Sequence, residues 1–103
     1  MSDHNLSDFE RSVLRELEKV PLGRVTTYQN LAKRLGKPNA SRAVGNALNK
    51  NPQAPKVPCH RVVKSNGEIG GYVFGVEKKI ALLKKEGIET RNNKIVDFES
   101  RIF

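Results

Sequence analysis

Apolar residues recur at helical spacing in three segments of the first half of the chain. The pattern predicts a first helix over residues 7–20, where Ser7 and Glu10 have the form of a capping box. A second, shorter helix is predicted to end at Gly36, and a third to cover about residues 40–50. The first helix is interpreted as scaffold for the two short ones.

The starts of the two short helices follow from single residues. Thr26, with Gln29 three positions later, is expected to cap the second helix. Pro38 cannot continue a helix, and Asn39 is suited to capping the third. Two short helices joined by a tight turn after a longer helix are typical of a helix-turn-helix, whose second helix reads DNA.

A helical projection divides the third helix into two faces. The face expected to pack inward consists of Ala40, Ala43, Val44, Ala47 and Leu48, and the opposite face consists of Arg42, Gly45, Asn46 and Asn49. A glycine inside a helix costs about 1 kcal/mol of propensity, but small residues let a helix backbone approach DNA closely. A neutral, solvent-exposed face is the alternative interpretation.

The segment after the third helix predicts a wing. Prolines within residues 52–58 fix an extended path that leads into a short strand over residues 59–63. Residues 65–67, Ser-Asn-Gly, are expected to turn this strand back through residues 68–69. A hairpin in this position would be the wing of a winged helix-turn-helix.

The last part of the chain predicts a loop, one more helix and a tail. A glycine-rich loop over residues 70–75 precedes a helix predicted over residues 76–86. Its inward-facing residues are expected to be Ile80, Leu82 and Leu83. Residues 88–103 have weak periodicity and are expected to be a polar tail. We therefore expect residues 1–103 to be a single, mainly α domain, winged helix-turn-helix-like with a short β-hairpin and a core over about residues 7–87.

The charge of the chain is concentrated in its middle. The 103 residues include nineteen Lys and Arg against eleven Asp and Glu, a formal net charge of +8. No acidic residue occurs between Glu18 and Glu68. A basic segment of this kind favours a polyanionic partner such as duplex DNA, and a generally basic soluble protein is the alternative.

Nothing in the chain predicts a membrane or an export signal. No apolar run approaches the ~18 residues that a membrane span needs. The first residues are polar and acidic, unlike a secretory leader. We expect no membrane partner and a cytoplasmic or nuclear protein that meets DNA.

Cys59 is the chemically distinctive residue. As the only cysteine it excludes an internal disulfide, and with only His4 and His60 as histidines a zinc cage is implausible. A thiol becomes a nucleophile as its thiolate, which a nearby cation such as Arg61 favours. On a strand His60 would point away from Cys59, so a proton relay would need a turn or a bridging water, with Glu86 as a candidate partner. A buried apolar cysteine beside a core histidine is the alternative.

Several short motifs, in order along the chain, resemble one family. They are Gly23-x-Val25-x-Thr27-Tyr28, Arg42-Ala43-Val44-Gly45, Asn51-Pro52, Pro58-Cys59-His60-Arg61-Val62 and Gly70-Gly71-Tyr72. Over about Phe9 to Gly87, the chain resembles the DNA-binding and active-site domain of the O6-alkylguanine-DNA alkyltransferase family.

The resemblance implies a single-turnover repair reaction that needs no cofactor. It implies that Cys59 accepts the alkyl group from guanine O6 and keeps it as a thioether. It further implies His60 as the water-mediated base, Glu86 as the carboxylate that orients it, and Asn51 as the hinge before the active-site loop.

The resemblance also implies the partner, a duplex that contains O6-alkylguanine and is bound at its minor groove by a monomer. Arg42 would enter the duplex in place of the flipped nucleotide, and Tyr28 would crowd the adjacent phosphate. The other implied substrate- and DNA-binding residues are Gly45, Asn46, Val62 through its carbonyl, Tyr72 and Val73.

Two features depart from the family pattern. Many members carry a separate N-terminal domain, whereas little precedes the first helix here, so the catalytic domain would act alone. Val73 stands where some members have a serine that bonds guanine O6, so a backbone amide would have to supply that contact.

Two other functions fit part of the sequence. One is an alkyltransferase-like protein that binds the lesion without transfer and hands it to excision repair, although such proteins carry Trp or Ala where this chain has Cys59. The other is a winged-helix DNA-binding protein without chemistry, which leaves the Pro-Cys-His-Arg-Val run without a purpose.

Overall fold

A computed structural model describes residues 6–50 and 57–103. Within these ranges, helices α1–α5 cover Asp8–Leu17, Tyr28–Arg34, Ser41–Asn49, Val76–Lys85 and Phe98–Arg101, and strands β1–β4 cover Thr26–Thr27, Val62–Val63, Thr90–Arg91 and Lys94–Ile95. The mainly α, helix-turn-helix-like class is confirmed. None of these helices is long and apolar enough to cross a bilayer.

Helix α1 begins where the sequence predicts. The Ser7 hydroxyl accepts a hydrogen bond from the Glu10 amide at 3.1 Å, and the Glu10 carboxylate accepts one from the Ser7 amide at 2.9 Å. This capping box satisfies amides that have no partner inside the helix. The buried residues Val13, Leu14 and Leu17 turn one face of α1 toward α2 and α3.

The predicted caps of the two short helices are wrong by one residue each. Thr27, and not Thr26, caps α2 and accepts a hydrogen bond from the Asn30 amide at 3.0 Å. Thr26 is instead a buried residue of β1. At the start of α3 the cap is Ala40, which has no side-chain acceptor, and not Asn39.

Helix α3 packs through a narrower face than the projection predicts. Val44, Ala47 and Leu48 are buried as expected. Ala43 is exposed and Ala40 is only half-buried, so the inward stripe excludes Ala43. Arg42 and Asn46 are exposed on the other side of the helix.

Strand β2 joins the two halves of the core. It pairs in parallel with β1, with Thr26 opposite Val62 and Thr27 opposite Val63. Since successive side chains of a strand point to opposite faces, Val62 enters the cluster formed by α1, α2 and α3. Val63 enters a second cluster, whose other buried members are Val25, Leu83, Ile88 and Ile95.

The predicted strand over residues 59–63 is shorter, because its first half is a turn. Cys59–Arg61 is a 3-10 turn, closed by a 2.9 Å hydrogen bond from the Arg61 amide to the Pro58 carbonyl. The turn at residues 65–67 is present, since the Lys64 amide donates to the Glu68 carbonyl at 2.8 Å. Its return is not a second strand against β2, however, because Glu68 pairs with Lys94.

Residues 88–103 are not a polar tail outside the core. Strands β3 and β4 form an antiparallel hairpin, and Ile88 and Ile95 are buried in the second cluster. Ile102 forms a parallel bridge with Val25, next to β1. The short hairpin of the fold therefore lies here, and not at residues 62–69.

Helix α4 is confirmed at its predicted place. It begins after Gly75, whose φ of 95° favours glycine, and ends with Glu86 as its C-cap. Leu83 is buried as expected, whereas Ile80 and Leu82 are half-buried. The end of α4 therefore brings Glu86 close to the Cys59–Arg61 turn.

Candidate active site

The turn at Cys59–Arg61 brings two adjacent side chains to one carboxylate. His60 Nε2 lies 2.8 Å from Glu86 Oε2, and Arg61 Nε donates to Glu86 Oε1 at 2.9 Å. Arg61 Nη2 also donates to Oε2 at 2.9 Å. Adjacent residues of an extended strand point to opposite faces, so only a turn lets both reach Glu86.

Hydrogen bonds keep the Glu86 carboxylate ionised. Burial alone would raise the pKa of Glu86, but the hydrogen bonds from Arg61 and His60 outweigh it and hold that pKa below its usual value. Arg61 is anchored in turn, since its Nη1 donates to the Val20 carbonyl at 2.8 Å. The segment that follows α1 thus fixes the position of the carboxylate.

The His60 ring is neutral and has one nitrogen without a partner among the described residues. Its side chain is only 2% exposed, and this burial lowers the pKa of His60, although Glu86 acts in the opposite direction. Because Nε2 faces an ionised carboxylate, the proton of the neutral ring belongs on Nε2. Nδ1 then carries the lone pair, and it is buried without a hydrogen-bond partner among the residues that the structure describes.

A cavity of about 540 Å³ lies between α3 and the glycine-rich loop. It is lined by Tyr28, Ser41, Arg42, Gly45, Asn46, Leu48, Asn49, Cys59, Gly71, Tyr72 and Val73. Cys59 is only 5% exposed and lies in the wall of this cavity. The expected nucleophile and most of the expected DNA-binding residues therefore share one space.

Three of the expected site residues lie elsewhere. His60 and Glu86 are outside the cavity lining, although His60 directly follows Cys59 in the turn and contacts Glu86. Val62 is buried and also outside the lining. Asn51 falls outside the residues that the structure describes.

The sequence interpretation missed Lys79, a buried lysine behind the site. Lys79 is fully buried, and its ammonium donates to the Val62 carbonyl at 2.6 Å and the Gly71 carbonyl at 3.0 Å. Burial lowers the pKa of Lys79 to about 8, against an opposing effect of the Cys59 charge. One signal was available, because Lys79 precedes the inward-facing Leu83 by four positions and so lies on the same helix face.

Two tyrosines face Cys59 and stay protonated. Burial raises the pKa of Tyr28, and it raises the pKa of Tyr72 to about 12; in both the Cys59 charge adds to the effect. Gly70, at φ +74°, lies so close to Tyr28 that a Cβ there would be 3.2 Å from the tyrosine oxygen. The loop can therefore pass the Tyr28 hydroxyl only with a glycine at this position.

No group of three or more His, Cys, Asp or Glu side chains within residues 6–50 and 57–103 is arranged to hold a metal ion. The described site consists instead of one cysteine in a cavity, a histidine–carboxylate–arginine cluster behind it, and a helix-turn-helix in front. These features define a helix-turn-helix domain with a cysteine-containing pocket beside its second helix.

Comparison with known proteins places this domain in a family. The model of the family described as "6-O-methylguanine DNA methyltransferase, DNA binding domain" matches residues 8–88. The chain therefore belongs to this family, which confirms the resemblance drawn from the motifs.

Relatives and solved structures agree with this assignment. The methylated-DNA–protein-cysteine methyltransferase of Methanosarcina acetivorans is 49% identical over 79% of this chain and 52% of its own length. That of Shigella flexneri is 48% identical over 77% and 46%. The chain spans about half the length of these curated relatives.

Two solved structures of DNA complexes have similar folds. Mycobacterium tuberculosis OGT in complex with DNA is 42% identical, with a TM-score of 0.74 over 78% of this chain and 50% of that one. S. pombe Atl1, in complex with damaged DNA containing O6-carboxymethylguanine, is 25% identical, with a TM-score of 0.79 over 93% and 94%.

Proposed function

We propose that this chain binds duplex DNA containing O6-alkylguanine and transfers the alkyl group irreversibly to Sγ of Cys59. The observation that carries the proposal is the place of Cys59, in the wall of a cavity beside α3 with the His60–Glu86 pair behind it. A helix-turn-helix protein without chemistry has no use for this combination.

The proposed reaction is a single displacement. The Cys59 thiol loses its proton to His60 Nδ1, directly or through a water, and the sulfur electron pair forms a bond to the alkyl carbon. The bond between that carbon and guanine O6 breaks, and its electron pair stays on the guanine. The guanine takes up one proton, so atoms and charges balance without a cofactor.

Tyr28 and Arg42 would act on the alkylated nucleotide. The alkylated oxygen lies inside the base stack, so the nucleotide must be flipped out at a cost of a few kcal/mol. Arg42, exposed in the first turn of α3, would fill the space that the nucleotide leaves. The Tyr28 hydroxyl, kept protonated because burial raises its pKa, can donate a hydrogen bond to the departing guanine.

The remaining parts of the proposal concern the whole protein. A monomer would dock α3 in the minor groove, where Gly45 and Asn46 allow a close approach. It would act wherever the cell keeps its DNA, in the cytoplasm or the nucleus. Asn51 would be the hinge before the active-site loop, and the chain would act as one domain.

The decisive experiment counts methyl groups. Mixing the protein with excess duplex containing one O6-methylguanine should add one methyl mass to the peptide that contains Cys59 and restore guanine. Because a thioether is inert and the chain has one cysteine, transfer should plateau at one methyl per molecule. Cys59→Ala should abolish the mass change and keep the preference for the lesion. Turnover beyond one would mean a different reaction.

The likeness to Atl1 over nearly all of both chains favours a second candidate, lesion binding without transfer. Cys59 argues against it, because the binding-only relatives carry Trp or Ala at this position. Tight binding of the lesion by wild-type protein with Cys59 unmodified would establish this candidate. If the wild-type protein shows neither modification of Cys59 nor a preference for the lesion, it is a winged-helix DNA-binding protein without chemistry.

A further inference from the structure

The β3–β4 hairpin is fixed against the turn at residues 64–68. The Ile69 amide donates to the Asn93 carbonyl, and the Ile95 amide donates to the Gly67 carbonyl, both at 2.9 Å. Ile95 is buried in the second core cluster, which anchors the hairpin from below. The hairpin is therefore a rigid part of the fold, although it follows the last residue that the family model matches, residue 88.

The turn that carries the hairpin lies beside the helix-turn-helix. A groove of about 580 Å³ has Tyr28, Gln29 and Ser41 on one side and Lys64, Ser65, Asn66 and Glu68 on the other. The first three residues belong to the starts of α2 and α3, which face DNA in a helix-turn-helix.

A smaller recess continues this surface to the hairpin. Its volume is about 220 Å³, and it joins Lys64 and Glu68 to Asn93 at the hairpin tip. The surface on which we propose that the duplex docks is therefore continuous with the hairpin.

The outer face of the hairpin holds two cations opposite each other. Arg91 of β3 pairs in register with Lys94 of β4, and both are exposed. Like charges directly opposite on a sheet destabilise the pair. Glu68 is next in the row, opposite Lys94, and a hydrogen bond from Asn66 and the charges of Lys64 and Lys94 lower the pKa of its carboxyl, so it is one anion among three cations. With Lys64, this patch keeps an excess of positive charge that a bound anion would relieve.

Taking the turn at residues 64–68 as the first wing, we propose that the β3–β4 hairpin is a second wing, in which Arg91 and Lys94 bind backbone phosphates of the duplex on one flank of the flipped nucleotide. The inference rests on the proposed function only in taking duplex DNA as the partner. A phosphate backbone fits because it presents anions along the whole length of the duplex, past the site of the lesion.

The test measures how the Kd for a lesion-containing duplex depends on salt. Each phosphate contact adds about 0.9 to the slope of log Kd against log salt, so Arg91→Ala/Lys94→Ala should lower the slope by roughly 2. The change in Kd between 50 and 200 mM salt should become roughly tenfold smaller. A duplex shortened on the flank that the hairpin reaches should remove the difference between variant and wild type.

A matched control removes two cations elsewhere. Arg15 of α1 and Lys84 of α4 are exposed, and Arg15→Ala/Lys84→Ala changes the net charge by the same amount. The slope should stay at the wild-type value in this control. An equal loss in both double variants, or none in Arg91→Ala/Lys94→Ala, would overturn the second wing.

Folding and chemistry are read separately. The double variant removes the Arg91–Lys94 repulsion together with the attraction between Lys94 and Glu68, so the Tm should stay close to that of wild type. At saturating DNA the hairpin variant should still transfer one methyl group to Cys59. Wild-type protein that binds DNA without transfer would therefore contradict the transfer reaction and leave the second wing standing, whereas normal transfer with an unchanged slope would contradict the wing alone.

Discussion

The guanidinium of Arg61 holds both oxygens of the Glu86 carboxylate, and one of these oxygens also bonds the His60 ring. The arginine therefore neutralises and orients the group that orients the histidine. Since Arg61 is itself bonded to the Val20 carbonyl, the position of the imidazole is fixed from the segment after α1 through the side chains of Arg61 and Glu86.

Replacing Glu86 by Gln should slow alkyl transfer by roughly 10- to 100-fold, by analogy with carboxylates that orient a metal-ligating histidine. The amide still fits the site, but it carries no charge and no longer favours the tautomer with a basic Nδ1. DNA affinity should stay within about twofold, because Glu86 lies outside the cavity lining. Single-turnover rates at saturating DNA measure the first effect and Kd the second.

The control for this substitution is Glu89→Gln. Glu89 is an exposed carboxylate three residues further along the chain. Its replacement by Gln removes the same charge as Glu86→Gln without changing the partner of His60. An unchanged transfer rate in Glu86→Gln would remove Glu86 from the mechanism.

Stability should fall as the pH is lowered below neutrality. Burial lowers the pKa of His60 in the folded protein, whereas the unfolded chain has the ordinary value of about 6.5. Between these values the unfolded state binds more protons, so the free energy of unfolding decreases as the pH falls. The lowered pKa of Glu86 adds a second loss below its usual value of 4.5.

Urea unfolding at pH 7.5, 6 and 5 measures this slope. Replacing each histidine in turn separates their contributions to this pH dependence. The decrease from pH 7.5 to 5 should be smaller in His60→Asn than in wild type and should persist in His4→Asn. A wild-type stability that does not change over this range would contradict the buried neutral state of His60.

Local signals explain which elements the sequence could predict. The α1 start depends on Ser7 and Glu10, three residues apart, and it is found where predicted. The Thr26 cap was wrong because the pairing of Thr26 with Val62, far along the chain, places it in a strand. Such a pairing leaves no trace in the neighbouring residues.

The C-terminal segment shows the same limit for the core. Ile88 and Ile95 are separated by polar residues and follow no helical or strand period. They are buried because Val25 and Val63, from distant parts of the chain, lie against them. The segment looked like a tail because its apolar residues have no partners nearby in sequence.

The site divides in the same way. The motif around Cys59 could be found from sequence, and the resemblance supplied Glu86 as the partner of His60, as the structure places it. The 3-10 turn that lets His60 and Arg61 reach one carboxylate depends on tertiary contacts. Neither periodicity nor spacing predicts it.

Arg42→Ala should weaken binding to the lesion-containing duplex whether Cys59 is present or replaced by Ala. Docking and base flipping precede the chemistry, so the effect cannot depend on the thiol. We expect a loss of roughly 1–3 kcal/mol of binding free energy, which is about 5- to 150-fold in Kd. Fluorescence anisotropy measures it in both backgrounds.

Arg15→Ala is the control for Arg42→Ala, since Arg15 is an exposed arginine of the scaffold helix. Its Kd should remain close to that of wild type. Equal losses in the two variants would indicate that only net charge matters, and no loss in Arg42→Ala would exclude the arginine from the interface.

Gly45→Ala should separate stability from binding. A Cβ at Gly45 would lie 3.9 Å from the Tyr28 ring, which is an ordinary contact, so the variant can fold. Its free energy of unfolding should increase by about 0.5–1 kcal/mol, because alanine favours the helix interior. Its DNA affinity should nevertheless fall, because the added methyl group enters the cavity beside α3.

Thermal unfolding and salt-dependent binding measure the two effects of Gly45→Ala. No charge is changed, so the Kd should rise by the same factor at every salt concentration and the slope should not change. A variant that is more stable and binds equally well would place Gly45 outside the interface.

Lys79→Met should impair transfer more than binding. The ammonium of Lys79 joins β2 to the glycine-rich loop through the Val62 and Gly71 carbonyls, and this loop continues into Tyr72 and Val73 of the cavity wall. Methionine fills a similar volume but donates no hydrogen bond, so both carbonyls lose their donor. We expect the free energy of unfolding to fall by about 1–3 kcal/mol.

The neighbouring Lys78 provides the control for Lys79→Met, because it is exposed on the same helix. Lys78→Met removes the same charge and should change stability by less than about 0.5 kcal/mol. Single-turnover transfer at saturating DNA should slow in Lys79→Met but not in Lys78→Met, since the buried Lys79 bonds the loop beside Cys59 and Lys78 is exposed. If both variants transfer at the wild-type rate, Lys79 is a structural lysine without a part in positioning the cavity wall.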